Sequence, residues 1–205
     1  MAYSDFTIPQ LKQLFGLHLI EDRPLFTTLP EYPLPAHLAD TLKRYLPLAL
    51  NMNTEKARSE LLIAPLLTEF KLLHHDAISL FSGVEFNVDD SKGLRGRCDY
   101  LICHNPEQLA ITAPVCVAVE AKNDNITGGI AQCLAEMVAA AMFNQQQQIE
   151  VKTIYGIVTT GMSWRFLALE GQTAIIDITE YSIQTPQIIF GLLRQMFALS
   201  PPAQP

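Results

Sequence analysis

The stretch Val115-Cys116-Val117-Ala118-Val119-Glu120-Ala121-Lys122 decides how this chain is read. Five apolar, β-prone residues run into an acid and a base two apart, the pattern of a strand that ends in charge. Acids also stand two before a lysine at Glu69, Asp90 and Glu150, but none of those closes an apolar run. Side chains two apart on a strand point the same way. Glu120 and Lys122 are therefore expected to share a face with Cys116 and Ala118, small residues that leave room for a site. Val115, Val117 and Val119 would face the core.

Upstream, 94–103 reads as a second strand, joined to the first by a loop over 104–113 with Asn105-Pro106 as its turn signal. Alternation puts Arg95, Arg97, Asp99 and Leu101 on one face and Leu94, Cys98, Tyr100 and Ile102 on the other. A simple hairpin with Cys103 opposite Cys116 also sets Asp99 opposite Glu120 and Arg97 opposite Lys122, with opposed Cβ atoms roughly 5 Å apart. Two opposed carboxylates repel. A hard cation such as Mg²⁺ relieves that repulsion, because it takes oxygen ligands and keeps waters. It can also lower the pKa of such a water and stabilise charge on a phosphate. Lys122 would hold that water or help to deprotonate it. Asp99, Glu120 and Lys122 would equally make a surface salt bridge, and spacing alone leaves both readings open.

Working outward, Thr7-Ile8-Pro9 opens a helix expected to reach about residue 19, with proline in its first turn. A connector with Pro24, Pro30, Pro33 and Pro35 leads to a helix over 36–50. Asn53 or Thr54 can cap a long helix to about residue 74, which Pro65 should kink or break. Strands over 80–88, 94–103 and 114–122 follow. Gly128-Gly129 lead into a helix over 130–147, then come strands over 153–160, 164–169 and 174–178 and a last helix over 186–199. The order predicts an α/β fold, a mixed β-sheet flanked by helices. An N-terminal helical extension, 1–50, would pack on a core domain over 51–200, and the Pro-rich tail 201–205 would be disordered. On the long helix, Glu60 groups with Ala57, Ala64 and Leu67 on an inward-leaning face, where a carboxylate needs a partner. The plain alternative is an ion pair with Lys56 or Arg58.

Composition bounds the function. With 49% hydrophobic and 17% charged residues among 205, the chain can bury a sizeable core. No apolar run approaches the roughly 20 residues of a membrane helix; the longest, 133–143, carries Glu136 in its middle. Met1-Ala2-Tyr3-Ser4-Asp5 lacks the basic start of a signal peptide. The four cysteines have no C-x-x-C spacing and sit in apolar segments, as reduced thiols of a cytoplasmic protein would. The net charge of −7 argues against a broad DNA-coating surface. It argues less against a metal-dependent nuclease, whose clustered carboxylates are offset by bound cations.

The order of a helical acid, Asp99 on one strand, Glu120-x-Lys122 on the next and then a helix resembles the PD-(D/E)XK nuclease superfamily. The segments Glu55 to Leu67, Arg97-Cys98-Asp99-Tyr100 and Val119-Glu120-Ala121-Lys122 are similar to the amino-terminal nuclease domain of type I restriction motor subunits and their stand-alone relatives. The resemblance covers about residues 51–160. It implies a restriction-endonuclease-like core in which Asp99 and Glu120 bind Mg²⁺ (or Mn²⁺), with the carbonyl of Ala121 as a further ligand. It also implies that Lys122 positions the nucleophilic water, that Gln132 contacts the site or a phosphate, and that Glu60, or else Glu55, is the helical acid. Relatives often carry a tyrosine four residues after the glutamine, and here Glu136 stands there. The 205 residues hold no match to the motor domains of a restriction subunit, so translocation is expected to need a partner.

Arg95 and Arg97 form, with Lys92, the local basic patch and are the candidate phosphate contacts, or else charge balance for the acidic cluster. The expected function is hydrolysis of DNA phosphodiesters, in a homodimer or beside a separate motor protein. The competing expectation is a non-catalytic nuclease-fold module for DNA or protein interaction.

Overall fold

The fold is given by a computed structural model that describes residues 1–198. Its centre is an open mixed sheet of eight strands in the order β1(His18–Ile20), β7(Thr173–Ile176), β6(Ser163–Glu170), β5(Ile154–Thr159), β4(Val115–Ala121), β3(Arg97–Cys103), β2(Ser79–Glu85), with β8(Tyr181–Ser182) paired to β6. Neighbours run antiparallel except β4 with β5 and β1 with β7. Parallel neighbours need a crossover connection, and the helix α5(Ile126–Gln146) supplies it between β4 and β5. The other helices are α1(Ile8–Phe15), α2(Ala36–Met52), α3(Glu55–Arg58), α4(Ala64–Leu73) and α6(Pro186–Phe197).

Both faces of the sheet are covered. One apolar cluster joins α5 and the N-terminal residues Tyr3, Phe6 and Leu11 to Leu101, Ala118 and Val158. The other joins Leu38 and Leu42 of α2, Leu66, Leu67 and Phe70 of α4 and Ile189, Phe190, Leu192 and Leu193 of α6 to Ile102, Val117, Val119 and Phe166. A central strand buried on both faces reads as an unbroken apolar run rather than an alternation, which is why 115–119 carries no polar residue. The small Ala118 does not open space for a site, as its sequence setting predicted. It lets α5 lie close, so that Cys133 Sγ comes within 3.8 Å of the Ala118 carbonyl.

Several elements differ from expectation, each for a local reason. The first helix stops at Phe15 because Gly16 caps it in the left-handed conformation (φ 67°), and the next residues become β1. Residues 1–50 thus add an edge strand to the sheet and side chains to both clusters, beyond a purely helical extension. The long helix after Thr54 is interrupted, as Pro65 predicts, by a π turn over Ser59–Ile63 in which Ala64 N–H bonds the carbonyl of Ser59. Helix α5 starts earlier than expected, at Ile126, with Asn125 accepting from Gly128 N–H at 3.4 Å. Contrary to the expectation that no segment is long and apolar enough to cross a membrane, α5 is, alone among the described helices, and it is mostly buried in the core. The end of the last predicted helix and the tail 201–205 lie outside the described residues.

Candidate metal-dependent active site

The β3–β4 ladder brings the predicted acids together. Tyr100 pairs with Val119, Leu101 with Ala118 and Ile102 with Val117, the register that carries Asp99 toward Glu120. A shift between Ile102 and Cys103 then sets Cys103 opposite Val115 rather than Cys116. The displaced Cys116 packs with Val117 and Val119, away from the face of Ala118. The predicted Arg97–Lys122 pair does not form: Arg97 lies across from Glu85 on β2, and Lys122 N–H bonds the carbonyl of Thr159 at the end of β5.

Asp99 sits where β3 changes face. The β2 pairs on either side of it are Ser82–Tyr100 and Val84–Cys98, and Gly83 between them adopts φ 63°. Cys98 belongs to the cluster under α5 and Tyr100 to the cluster under α4, so strict alternation, which put both on one face, fails here. The half-buried Asp99 carboxylate turns to β4, where Oδ2 accepts from Ala121 N–H at 2.8 Å.

Glu120 is only 2% exposed. Its Oε1 accepts from Lys122 Nζ at 2.5 Å and its Oε2 from Gln132 Nε2 at 2.8 Å, while Gln132 Oε1 accepts from the same Lys122 ammonium at 3.2 Å. The network closes as a ring of three side chains, from β4, from the residue that follows it and from α5. Gly129 permits the approach: a Cβ there would lie 2.7 Å from Val158 Cγ1 and 3.1 Å from Lys122 Cε. Gln132 also donates at 3.2 Å to Oε1 of Glu136, which is fully buried.

The electrostatics follow from burial. Desolvation, then the charge of Asp99, push the Glu120 carboxyl up to about 7 against the pull of Lys122. Asp99 is raised too, by burial, with the Ala121 N–H and Lys122 opposing. Burial would lower Lys122, but the hydrogen bond and charge of Glu120 outweigh it and hold the amine protonated. Lys122 is therefore a hydrogen-bond donor and a positive charge in this state, not a base.

The remaining candidates are spread around this centre. Glu60 points to solvent and pairs with Lys56 at 3.0 Å, because the π turn rotates it off the inward face. The charge of Glu55 is felt by both Glu120 and Lys122. Both acids, with Ser59, Ser82 and Asp99, line a cavity of about 310 Å³ on the α3 side of the sheet. Arg95 pairs with Asp90 at 3.6 Å and Arg97 with Glu85 at 3.4 Å, so each basic side chain is engaged away from the carboxylate pair. Sequence reasoning missed Arg58. Its guanidinium donates to the Asn123 carbonyl and to Asn53 Oδ1, both at 2.7 Å, and so ties the segment after Lys122 to α3.

Among the described residues no group of three or more His, Cys, Asp or Glu side chains is arranged to hold a metal ion. Mg²⁺ does not require one, since it is often bound through one or two carboxylates and keeps several waters. Two buried or half-buried carboxyls whose charges act on each other, Glu120 and Asp99, fit such a sparse donor set. No family model matches the chain, and no curated protein matches it. Fold and site together define a class: an α/β protein with an open mixed sheet flanked by helices and a buried Glu-Lys-Gln network beside a second carboxylate.

Proposed function

We propose that this protein is a Mg²⁺- or Mn²⁺-dependent nuclease of restriction-endonuclease-like fold that hydrolyses phosphodiester bonds of DNA. The observation that carries the proposal is the short Lys122–Glu120 contact locked by Gln132, with Asp99 held against the next peptide of the same strand. Surface ion pairs are loosely held; here Glu120 is buried and Lys122 half-buried, both share Gln132 as a partner, and Asp99 adds a like charge. Asp99 and Glu120 would supply carboxylate oxygens to the metal and Ala121 its carbonyl. With the metal bound, the site gains a Lewis acid that acidifies a water and stabilises charge on the phosphate. Lys122, protonated and fixed by Glu120 and Gln132, orients the attacking water and offsets the developing charge. The water oxygen bonds to phosphorus and its proton passes to solvent. The ester P–O bond breaks toward the sugar oxygen, which takes up a proton.

Calorimetry with Mn²⁺ tests the site: uptake by the wild type that Asp99→Asn abolishes supports it, and no uptake by the wild type removes it. A second reading, a non-catalytic nuclease-fold module acting in the cytoplasm beside a motor protein or as a homodimer, is favoured by two facts. Arg95 and Arg97 are each paired to acids, and the net charge is −7.

A further inference from the structure

Helical spacing places Gln132 and Glu136 one turn apart on one face of α5, and that face is turned to the sheet. Glu136 is 0% exposed, in a stretch of α5 where Cys133, Leu134, Ala135, Met137 and Ala139 are all buried as well. A carboxyl in such a place is costly unless its oxygens are satisfied. Only Oε1 is, by Gln132 Nε2 at 3.2 Å, while the buried Oε2 has no hydrogen-bond partner. An apolar residue would fill the position at lower cost in stability.

What Glu136 does is visible in the amide it holds. A glutamine amide has one end that donates and one that accepts, and either can face a given neighbour. Two carboxyl oxygens, Glu120 Oε2 and Glu136 Oε1, claim the Gln132 amino group from two sides. The carbonyl end is thereby left for Lys122 Nζ. If the amide turned over, its amino group would face the Lys122 ammonium, donor against donor, and the contact to Lys122 would be lost. We propose that Glu136 is a positioning residue of the candidate site: through Gln132 it fixes the orientation of Glu120 and Lys122, and stability is sacrificed for that geometry. The proposal deepens the nuclease reading and rests on it.

The test compares the wild type with Glu136→Met, Gln132→Met, the double variant and Glu136→Gln. Mn²⁺ affinity is read by calorimetry, DNA cleavage as kcat and KM, and stability as the urea midpoint. Residues that orient metal ligands from behind cost about 10- to 100-fold in affinity or activity when removed. Glu136→Met and Gln132→Met should each weaken Mn²⁺ binding and lower kcat by about tenfold or more, with KM for DNA little changed. The double variant should lose no more than the worse single, because one acts through the other. Glu136→Gln keeps an acceptor oxygen and should recover most of both losses. The urea midpoint of Glu136→Met should equal or exceed that of the wild type. Wild-type Mn²⁺ binding and kcat in Glu136→Met, losses that multiply in the double variant, or loss of folding in Glu136→Met would each overturn the proposal while leaving the nuclease reading intact. A wild type that neither binds Mn²⁺ nor cuts removes the nuclease reading itself, and this inference with it.

Discussion

The carboxylate of Asp99 accepts the backbone N–H of Ala121 at 2.8 Å, so the acid of β3 is fastened to the peptide between Glu120 and Lys122. This side-chain bond extends the β3–β4 ladder by one step beyond the Tyr100–Val119 pair. It also separates what Asp99 does for the fold from what its charge does.

Asp99→Asn keeps an oxygen that can accept from Ala121 N–H, and it removes a charge that raises Glu120. Its urea midpoint should match or exceed that of the wild type, with Mn²⁺ uptake lost. Asp99→Ala strands the Ala121 N–H and should cost about 1–3 kcal/mol. Equal stability of the two variants would show that the hydrogen bond contributes nothing.

The carboxyl of Glu120 gives stability a pH slope. Its folded value, about 7, lies above the ordinary 4.5. Between those values the folded chain holds a proton that the unfolded chain has released. The stability is fully present below about 4.5 and falls as pH rises to about 7. The loss is at most about 3 kcal/mol at 1.36 kcal/mol per unit. Glu136, raised by burial and by Glu120, adds to the slope in the same sense. Urea midpoints from pH 4 to 8 should fall for the wild type and fall less for Glu120→Gln. A slope unchanged by the substitution would place its origin elsewhere.

Gly129→Ala should uncouple helix propensity from packing. Alanine favours the helix by roughly 1 kcal/mol, but the added Cβ meets Val158 at 2.7 Å and Lys122 at 3.1 Å. Overpacking of that kind costs about 1–3 kcal/mol. We expect a net drop in stability together with a lower kcat, because Lys122 is displaced. Higher stability with unchanged activity would mean that α5 stands off from β4 in solution.

The part of the structure legible in the sequence is the part governed by strand periodicity and short connections. The run 115–119 and the break before Pro65 follow from rules that act within a few residues. The register of Tyr100 with Val119, by contrast, is reached from a Cys103–Cys116 pair that the structure replaces by Cys103–Val115. Where the sequence misled, one backbone irregularity was responsible each time. Gly83 opposite Asp99 breaks the alternation of β3, and an isolated glycine inside a strand pattern was the available signal. The π turn moves Glu60 to solvent, beyond what a fixed 3.6-residue period foresees. The shift at Cys103 sends Cys116 to the other face. Gly16, two residues before β1, was a readable helix stop. The partners of Arg58, Arg95 and Arg97 were not readable, since they depend on which loops meet in space.

Cleavage of supercoiled plasmid and of short single- and double-stranded DNA in Mg²⁺ or Mn²⁺, with Lys122→Ala assayed in parallel, tests the central claim most directly. A catalytic site built on Glu120 and Lys122 predicts cutting by the wild type that is abolished by chelator and falls at least about 100-fold in the variant. Cutting that survives Lys122→Ala, or a folded wild type that cuts none of these substrates with either metal, would contradict it.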